Sequence, residues 1–192
     1  MNHDIKNVNT EVLFDNWAKL KRVTYEYSRG DGKWEAQKRE VYDRGNGAVI
    51  LLYNIEQNTV ILTRQFRLAT YLNGNHTGML IEACAGLLDD DSPEEAIRRE
   101  TEEETGYKIS KVKKIFESYM SPGSVTEILY FFVAEYSSDM KVNDGGGIAH
   151  EQENIEVMEM KFKDAMRMIE NGEIKDAKTI MLLQYLQLQN VM

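Results

Sequence analysis

Three closely spaced glutamates, Glu100, Glu103 and Glu104, are the residues of this chain best suited to chemistry. In a helix they would share one face, because residues at i, i+3 and i+4 are neighbours on a helix surface. Carboxylates held so close repel one another unless a cation lies between them. Hard divalent cations prefer oxygen ligands and bridge carboxylates to substrate phosphates, so the spacing indicates metal-assisted phosphoryl chemistry. A solvated acidic helix face is the plain alternative.

The segment that carries these glutamates has the start and stop signals of a short helix. Ser92 is a candidate N-cap, Pro93 suits the first turn, and the acids Glu94 and Glu95 suit the positive N-terminal end. Gly106 follows the last glutamate and suits a C-terminal cap. We therefore predict a strand, a loop and a helix through this region.

Apolar and alternating runs predict strands and helices on both sides of that helix. The predicted strands span residues 49–53, 60–64, 79–83, 112–116, 129–136 and 155–162, and the predicted helices span 162–171 and 177–189. Upstream, two alternating pieces between Val12 and Val41 are separated by the turn signal Gly30-Asp31-Gly32. These pieces predict a small antiparallel β hairpin, which must pack on the main domain or on another subunit. The pattern as a whole predicts an α/β fold.

Composition limits the classes of protein to which this chain can belong. A length of 192 residues with 42% apolar content suits one domain with an appendage. The net charge of −9 argues against a nucleic-acid partner, because binding to a phosphate backbone needs a basic surface. A lone cysteine, Cys84, cannot form an intramolecular disulfide, and its apolar context favours a core thiol in a reducing compartment. We expect a cytoplasmic protein that has no membrane partner, because the sequence contains no long apolar run and no apolar signal region.

The stretch 86–107, which reads GLLDDDSPEEAIRRETEEETGY, resembles the Nudix box. Gly86 and Asp91 open the motif. Its second half is filled by Arg99, Glu100, Glu103, Glu104, Gly106 and Tyr107. The loop after Gly86 is one residue shorter than usual, Asp91 replaces a glutamate, and Thr101 occupies an apolar position. The resemblance implies a Nudix α/β/α sandwich with a mixed sheet at residues 45–192, preceded by a small N-terminal antiparallel β unit at residues 1–44.

The same resemblance implies a catalytic apparatus that depends on Mg²⁺, with Mn²⁺ as an alternative. The implied metal ligands are Glu100, Glu104, Glu153 and the carbonyl oxygen of Ala85. Glu151 is the implied base, while Glu103 and Arg99 assist the metal and orient neighbouring carboxylates. The exchange of roles between Glu151 and Glu153 stays open, and the adjacent His150 is a rival base because it titrates near neutral pH.

Further segments narrow the resemblance to the branch of the Nudix family that acts on nucleotide sugars. They are YDRGNGAVILLYN, RQFRLATYLNG, YMSPG, the glycine run 145–147, NIEV and DAKTI. The resemblance implies hydrolysis of GDP-mannose to GMP and mannose 1-phosphate, with ADP-ribose as the alternative substrate. A domain that senses a nucleotide without catalysis is the rival from another functional class. The implied partners are the nucleotide-sugar substrate and a second copy of the chain in a homodimer.

The resemblance also implies which residues of this chain contact the substrate, each taken from the matching position of the family. They are Trp17, Lys38, Arg39, Glu40, Arg67, Ala85, Gly86, Leu87, Glu104, Glu127, Gln152 and Lys178. Trp17 offers a flat face on which a base can stack. Arg67 can make a bidentate contact to phosphate, and the Lys38-Arg39 pair can bind phosphate or purine acceptors. In members of this family the N-terminal unit reaches across the dimer to the partner's site.

Overall fold

The computed structural model describes residues 4–148 and 153–192, and within them the chain forms two compact units. The first unit consists of the chain up to Asn46 together with Ser118–Leu129. The second unit consists of Gly47–Glu117 together with Tyr130–Met192. In the described part of the chain no helix is both long enough and apolar enough to cross a bilayer.

The first unit contains a three-stranded antiparallel sheet. Its strands are β1 (Ile5–Asp15), β2 (Lys19–Ser28) and β3 (Trp34–Asp43), in that order across the sheet. The predicted antiparallel character is confirmed, but the predicted two-piece hairpin is wrong. The first piece is divided by a turn at residues 16–18, and β1 begins well before Val12. That turn contains neither glycine nor proline, so the alternating pattern runs through it without a visible break.

Most residues of a seven-stranded sheet belong to the second unit. Its strands are β4 (Gly47–Asn54), β5 (Thr59–Phe66), β6 (Met79–Glu82), β7 (Cys84–Leu87), β8 (Lys113–Tyr119), β9 (Ile128–Glu135) and β10 (Glu156–Lys161). The order across the sheet is β10-β5-β4-β9-β8, with β6 on β5 and β7 on β4. The single strand predicted at residues 79–83 is therefore two strands, because the chain changes its pairing partner at Ala83.

Among its described residues, the second unit also contains four α-helices. They are α1 (Leu68–Leu72), α2 (Pro93–Thr105), α3 (Phe162–Glu170) and α4 (Ala177–Leu188). The sequence predicted α2, α3 and α4, whereas the five-residue α1 was not predicted. A short 3-10 turn at Ser138–Met140 was also missed within the predicted loop.

Burial along β4 shows that the sheet is covered on both faces. Ala48, Ile50 and Leu52 share one hydrophobic cluster with Ile97 of α2. The intervening residues of β4 are equally buried, and α4 also packs on this strand. Alternate residues of a strand point to opposite faces, so α2 and α4 pack on opposite sides of β4. This arrangement confirms the predicted α/β sandwich.

Local signals fix both ends of α2. The Ser92 side chain accepts a hydrogen bond from the Glu95 backbone N–H, and the Glu95 carboxylate accepts one from the Ser92 backbone N–H. This reciprocal pair is a capping box, which satisfies backbone donors that the first turn leaves unpaired. At the other end Gly106 adopts the left-handed conformation with φ of 79°, and its N–H donates to the Glu102 carbonyl oxygen.

Replacing the cap serine tests how much this start signal contributes. Ser92→Ala is expected to lower the free energy of unfolding by about 1 kcal/mol, because it removes a side-chain acceptor from the first turn. Urea denaturation followed by far-UV circular dichroism measures the change. Ser110→Ala, at an exposed loop position, is the control and should stay within about 0.5 kcal/mol of the original protein. Equal stability of the two variants would contradict a stabilising capping box.

Candidate active site

The carboxylate face of α2 lies directly against β7. Gly86 has no side chain, and a Cβ atom there would overlap the carboxyl group of Glu100. One turn further along, the Glu104 carboxylate accepts a hydrogen bond of 3.3 Å from the Ala85 backbone N–H. Residues 85 and 86 therefore form a backbone surface on which Glu100 and Glu104 pack. Leu87 is the last residue of the same strand.

Burial makes these two carboxylates unusual. Glu104 is only 3% exposed, and burial raises its pKa to about 8. Burial likewise raises the pKa of Glu100 to about 7, and the charge of Arg99 opposes that rise. Beyond burial, the charge of Glu103 raises the pKa of Glu100, the charge of Glu100 raises the pKa of Glu104, and the charge of Glu153 raises both. Acidic groups whose pKa values are shifted this far are typical of functional sites.

Arg99 bridges the neighbouring carboxylates. Its Nη1 donates to Glu100 Oε1 at 2.9 Å and to Glu103 Oε2 at 3.4 Å. Its Nε donates to Asp91 Oδ2 at 3.4 Å, so the guanidinium also ties the loop before α2 to the helix. These bonds restrain the carboxylates of Glu100 and Glu103, and the catalytic role of Arg99 stays a prediction.

The unusual residue of the motif, Thr101, has a local explanation. It is fully buried, and its hydroxyl donates to the Ile97 carbonyl oxygen at 2.5 Å. A threonine in a helix can satisfy its hydroxyl in this way, so it replaces an apolar residue without leaving an unpaired polar group.

The glycine run 145–147 brings a distant segment to the C-terminal end of α2. The N–H groups of Gly146 and Gly147 donate to the carbonyl oxygens of Glu104 and Glu103 at 2.9 and 3.1 Å. All three glycines have positive φ, a conformation that residues with side chains rarely adopt. Glu153 then packs beside Gly147 and accepts a hydrogen bond of 2.9 Å from the Ile148 N–H. The glycines thus dock the loop that leads to Glu153.

The predicted metal ligands fit a hard divalent cation by the chemistry of their donors. Glu100, Glu104 and Glu153 supply carboxylate oxygens; Glu104 is buried, Glu100 is partly buried, and the charge of Glu100 repels that of Glu104. Among residues 4–148 and 153–192, no three acidic, histidine or cysteine side chains are already arranged around one point. The predicted residues His150, Glu151 and Gln152 lie outside the described residues, so the assignment of the base stays a prediction.

Two predicted substrate residues of the second unit share one partner. Arg67, which precedes α1, and Lys178, in the first turn of α4, both donate to the carboxylate of Glu82. Glu82 was not among the residues predicted from the sequence. The available signal was an acid inside the apolar run MLIEAC, where a charged residue needs a partner once it is buried.

The remaining predicted substrate residues belong to the first unit. Trp17 lies in the turn between β1 and β2 and is 69% exposed. Lys38, Arg39 and Glu40 are exposed residues of β3. Their place in the site stays a prediction.

Glu127 is a buried acid of the first unit. Its Oε1 accepts hydrogen bonds of 3.0 and 2.6 Å from Nε and Nη2 of Arg44. Arg44 was not predicted either, because a lone arginine 83 residues away gives no signal of this contact.

Comparison with known proteins identifies the family of this chain. The NUDIX domain family matches residues 43–183. This chain belongs to the Nudix family. The family described as the GDP-mannose pyrophosphatase NudK N-terminal domain matches residues 4–42.

Curated relatives cover the Nudix chain almost from end to end. A protein named GDP-mannose pyrophosphatase from Yersinia pestis (strain Pestoides F) is 58% identical over 188 residues, which are 98% of this chain and 94% of that protein. One of the same name from Escherichia coli O1:K1 / APEC is 55% identical over 192 residues, covering 100% of both chains. The resemblance inferred from the box and its flanking segments is thereby confirmed.

The raised pKa values predict how stability depends on pH. Between the ordinary carboxyl pKa of 4.5 and about 8, the folded Nudix chain retains protons on Glu100 and Glu104 that the unfolded chain has released. The free energy of unfolding should therefore fall as pH rises through this window. Urea denaturation in the presence of a chelator, repeated across the window, measures the slope.

Glu104→Gln is expected to flatten that slope, because the amide cannot release a proton. Glu102→Gln changes another glutamate of α2, one that is paired with Lys108, and is the control that should keep the original slope. An unchanged slope in Glu104→Gln would show that this carboxyl group does not titrate abnormally.

Proposed function

We propose that this Nudix chain hydrolyses the diphosphate bond of a nucleotide sugar, with GDP-mannose as the substrate and GMP and mannose 1-phosphate as the products. The observation that carries the proposal is the packing of Glu100 and Glu104 of the Nudix box against the backbone of Ala85 and Gly86. The substrate assignment is supported by the relatives named GDP-mannose pyrophosphatase, which match this chain over nearly its whole length.

Nudix hydrolases generally need divalent metal ions, and Mg²⁺ is the ion proposed here. Glu100, Glu104 and Glu153, together with the Ala85 carbonyl oxygen, would hold it. A bound divalent cation neutralises phosphate charge and polarises the phosphorus centre. Arg99 restrains Glu100 and Glu103, so it limits the positions that these carboxylates can adopt.

The attack on phosphorus requires a water molecule and a group that takes its proton. We assign this role to Glu151, with Glu153 as the alternative, because both follow the glycine run that docks on α2. Arg67 and Lys178 are assigned to the diphosphate, since Arg and Lys side chains bind phosphate oxygens with charge-assisted hydrogen bonds. Trp17, Lys38, Arg39, Glu40 and Glu127 are assigned to the nucleoside and sugar.

We also propose that the enzyme acts as a homodimer. The first unit exposes large apolar side chains along β1, among them Ile5, Val12 and Phe14. A groove of about 750 Å³ runs along its sheet and is lined in part by Ile5, Val23 and Val41. A second copy of the chain would cover such a surface, since large exposed apolar patches commonly mark interaction sites.

The activity is tested by comparing GDP-mannose with ADP-ribose, each with Mg²⁺ and with a chelator. We expect kcat/KM to favour GDP-mannose and turnover to disappear in chelator. Glu100→Gln should lower kcat by roughly 100-fold or more, because a catalytic metal contributes several kcal/mol of transition-state stabilisation. Glu102→Gln is the matched control and should retain the original kcat. A higher kcat/KM for ADP-ribose would show that ADP-ribose, and not GDP-mannose, is the substrate. If neither compound is hydrolysed in a metal-dependent way, the proposal is overturned.

The dimer is tested by mass and by complementation. Light scattering should give about twice the chain mass of 22.2 kDa. If the first unit of one copy completes the site of the other, mixing a Lys38→Ala/Arg39→Ala variant with Glu100→Gln should restore about one quarter of the original activity. That fraction follows because half of the dimers are then mixed and each mixed dimer has one intact site. Activity no higher than the sum of the separate variants would contradict a shared site.

A further inference from the structure

Glu82 is a buried carboxylate that joins two cations from different elements. It is the last residue of β6 and is only 3% exposed. Its Oε2 accepts a hydrogen bond of 2.6 Å from Arg67 Nε, and its Oε1 accepts one of 2.5 Å from Lys178 Nζ. Each carboxylate oxygen thus holds one cation, although Arg67 and Lys178 are far apart in sequence.

The surrounding bonds fix both ends of this arrangement. Asp176 accepts a hydrogen bond of 2.7 Å from Lys178 Nζ through one oxygen and caps α4 through the other, which accepts from the Thr179 N–H at 2.9 Å. The Thr179 hydroxyl in turn accepts a bond of 2.7 Å from the Ala83 backbone N–H. The first turn of α4 is therefore tied to two adjoining residues, Glu82 at the end of β6 and Ala83 directly after it.

Arg67 is held as firmly at its backbone. Its N–H donates to the Gly78 carbonyl oxygen at 2.8 Å, and its own carbonyl oxygen accepts from the Thr70 N–H at 3.0 Å. Because both the backbone and Nε are fixed, the outer edge of the guanidinium has a defined direction.

Donors remain on both cations after Glu82 and Asp176 are satisfied. Arg67 has four further N–H groups on its Nη atoms, which make no hydrogen bond within the described residues, and its side chain is 40% exposed. Lys178 uses two of its three donors and is 14% exposed. These remaining donors suit an anion with several oxygen acceptors, such as a diphosphate.

Arg67 also lies within electrostatic reach of the carboxylate face of α2. Burial raises the pKa of Glu104 to about 8, and the positive charge of Arg67 is among the influences that oppose this rise. An anion bound by Arg67 would therefore lie near the proposed metal ligands.

Stability alone gives a weak reason for such an arrangement. A buried ion pair loses its hydration, and replacing it with apolar residues often leaves stability unchanged or improves it. A buried carboxylate between two cations does, however, hold them at a fixed spacing, which a diphosphate-binding site needs.

We propose that Glu82 is a positioning residue that holds Arg67 and Lys178 as a two-cation clamp for the diphosphate of the substrate. This inference rests on the proposed function, because it takes Arg67 and Lys178 as substrate contacts. Glu82 itself does not touch the substrate and acts only through its two partners.

Glu82→Gln in the full-length, Mg²⁺-loaded enzyme tests the clamp. The KM for GDP-mannose should rise about tenfold with a smaller change in kcat, because the clamp binds phosphate in the ground state as well as in the transition state. Glu156→Gln is the control. It breaks an exposed ion pair between Glu156 and Arg64, which also lies in the second unit, and it should leave KM and kcat unchanged. A folded Glu82→Gln enzyme with the original KM overturns the inference.

A mutant cycle separates positioning from a general loss of structure. In an Arg67→Gln/Lys178→Gln background, Glu82→Gln should change kcat/KM by less than about twofold, because its partners are already gone. A full tenfold loss in that background would show that Glu82 acts by another route and would overturn the clamp.

The remaining outcomes distinguish the two proposals. If Arg67→Gln and Lys178→Gln keep the original kcat/KM while Glu100→Gln is inactive, the clamp is wrong and the proposed function stands. If the unmodified enzyme hydrolyses no nucleotide sugar, both proposals are wrong.

Should Glu82→Gln fail to fold, Glu82→Asp takes its place, because it keeps the charge and withdraws the carboxylate by one methylene. Its KM should rise severalfold, and the original KM in folded Glu82→Asp overturns the clamp.

Discussion

The contact between α2 and β7 at Gly86 is the constraint on which the candidate site depends. Because position 86 has no side chain, the Glu100 carboxyl group can occupy space that a Cβ atom would fill. The same approach lets the Ala85 N–H bond to Glu104. Glu104 is thereby withdrawn from water almost completely and Glu100 partly, and this burial raises the pKa values of both. Their charged forms are favourable only with positive charge nearby, so one glycine in β7 creates the requirement for a cation.

Positive charge reaches this face from two directions within the second unit. Arg99 comes from α2 itself and restrains Glu100 and Glu103. Arg67 is the residue directly before α1, and its charge opposes the rise in the pKa of Glu104 that burial causes. A chain with a net charge of −9 can still bind an anionic substrate if its few cations are placed in this way. Local arrangement, and not net charge, decides the sign of the field in a site.

The parts of the fold that were predicted correctly are those whose causes are local. Ser92 and Gly106 mark the ends of α2 because capping involves residues within one turn, and the spacing of the glutamates then fixes their common face. The turn at Trp17 and the break between β6 and β7 were missed because neither contains glycine or proline. The network of Glu82 could not be read from the sequence, because its bonds span 15 and 96 residues. Contacts of that range depend on the sheet order, which periodicity does not give.

The buried neighbours of the glutamates explain how α2 keeps an unfavourable row of carboxylates. Ala96, Ile97 and Thr101 lie within about one turn of Glu100 or Glu104 and are fully buried, and Ile97 packs in the cluster that includes Ile50 of β4. Burying a side chain such as isoleucine contributes about 1.5–3 kcal/mol, and the capping box adds about 1 kcal/mol more. These contributions hold the helix in place whether or not its acids are charged. The Nudix box therefore places its two tasks on neighbouring positions of α2: the buried residues Ala96, Ile97 and Thr101 secure the helix, which leaves Glu100 and Glu104 free to be selected for binding a cation.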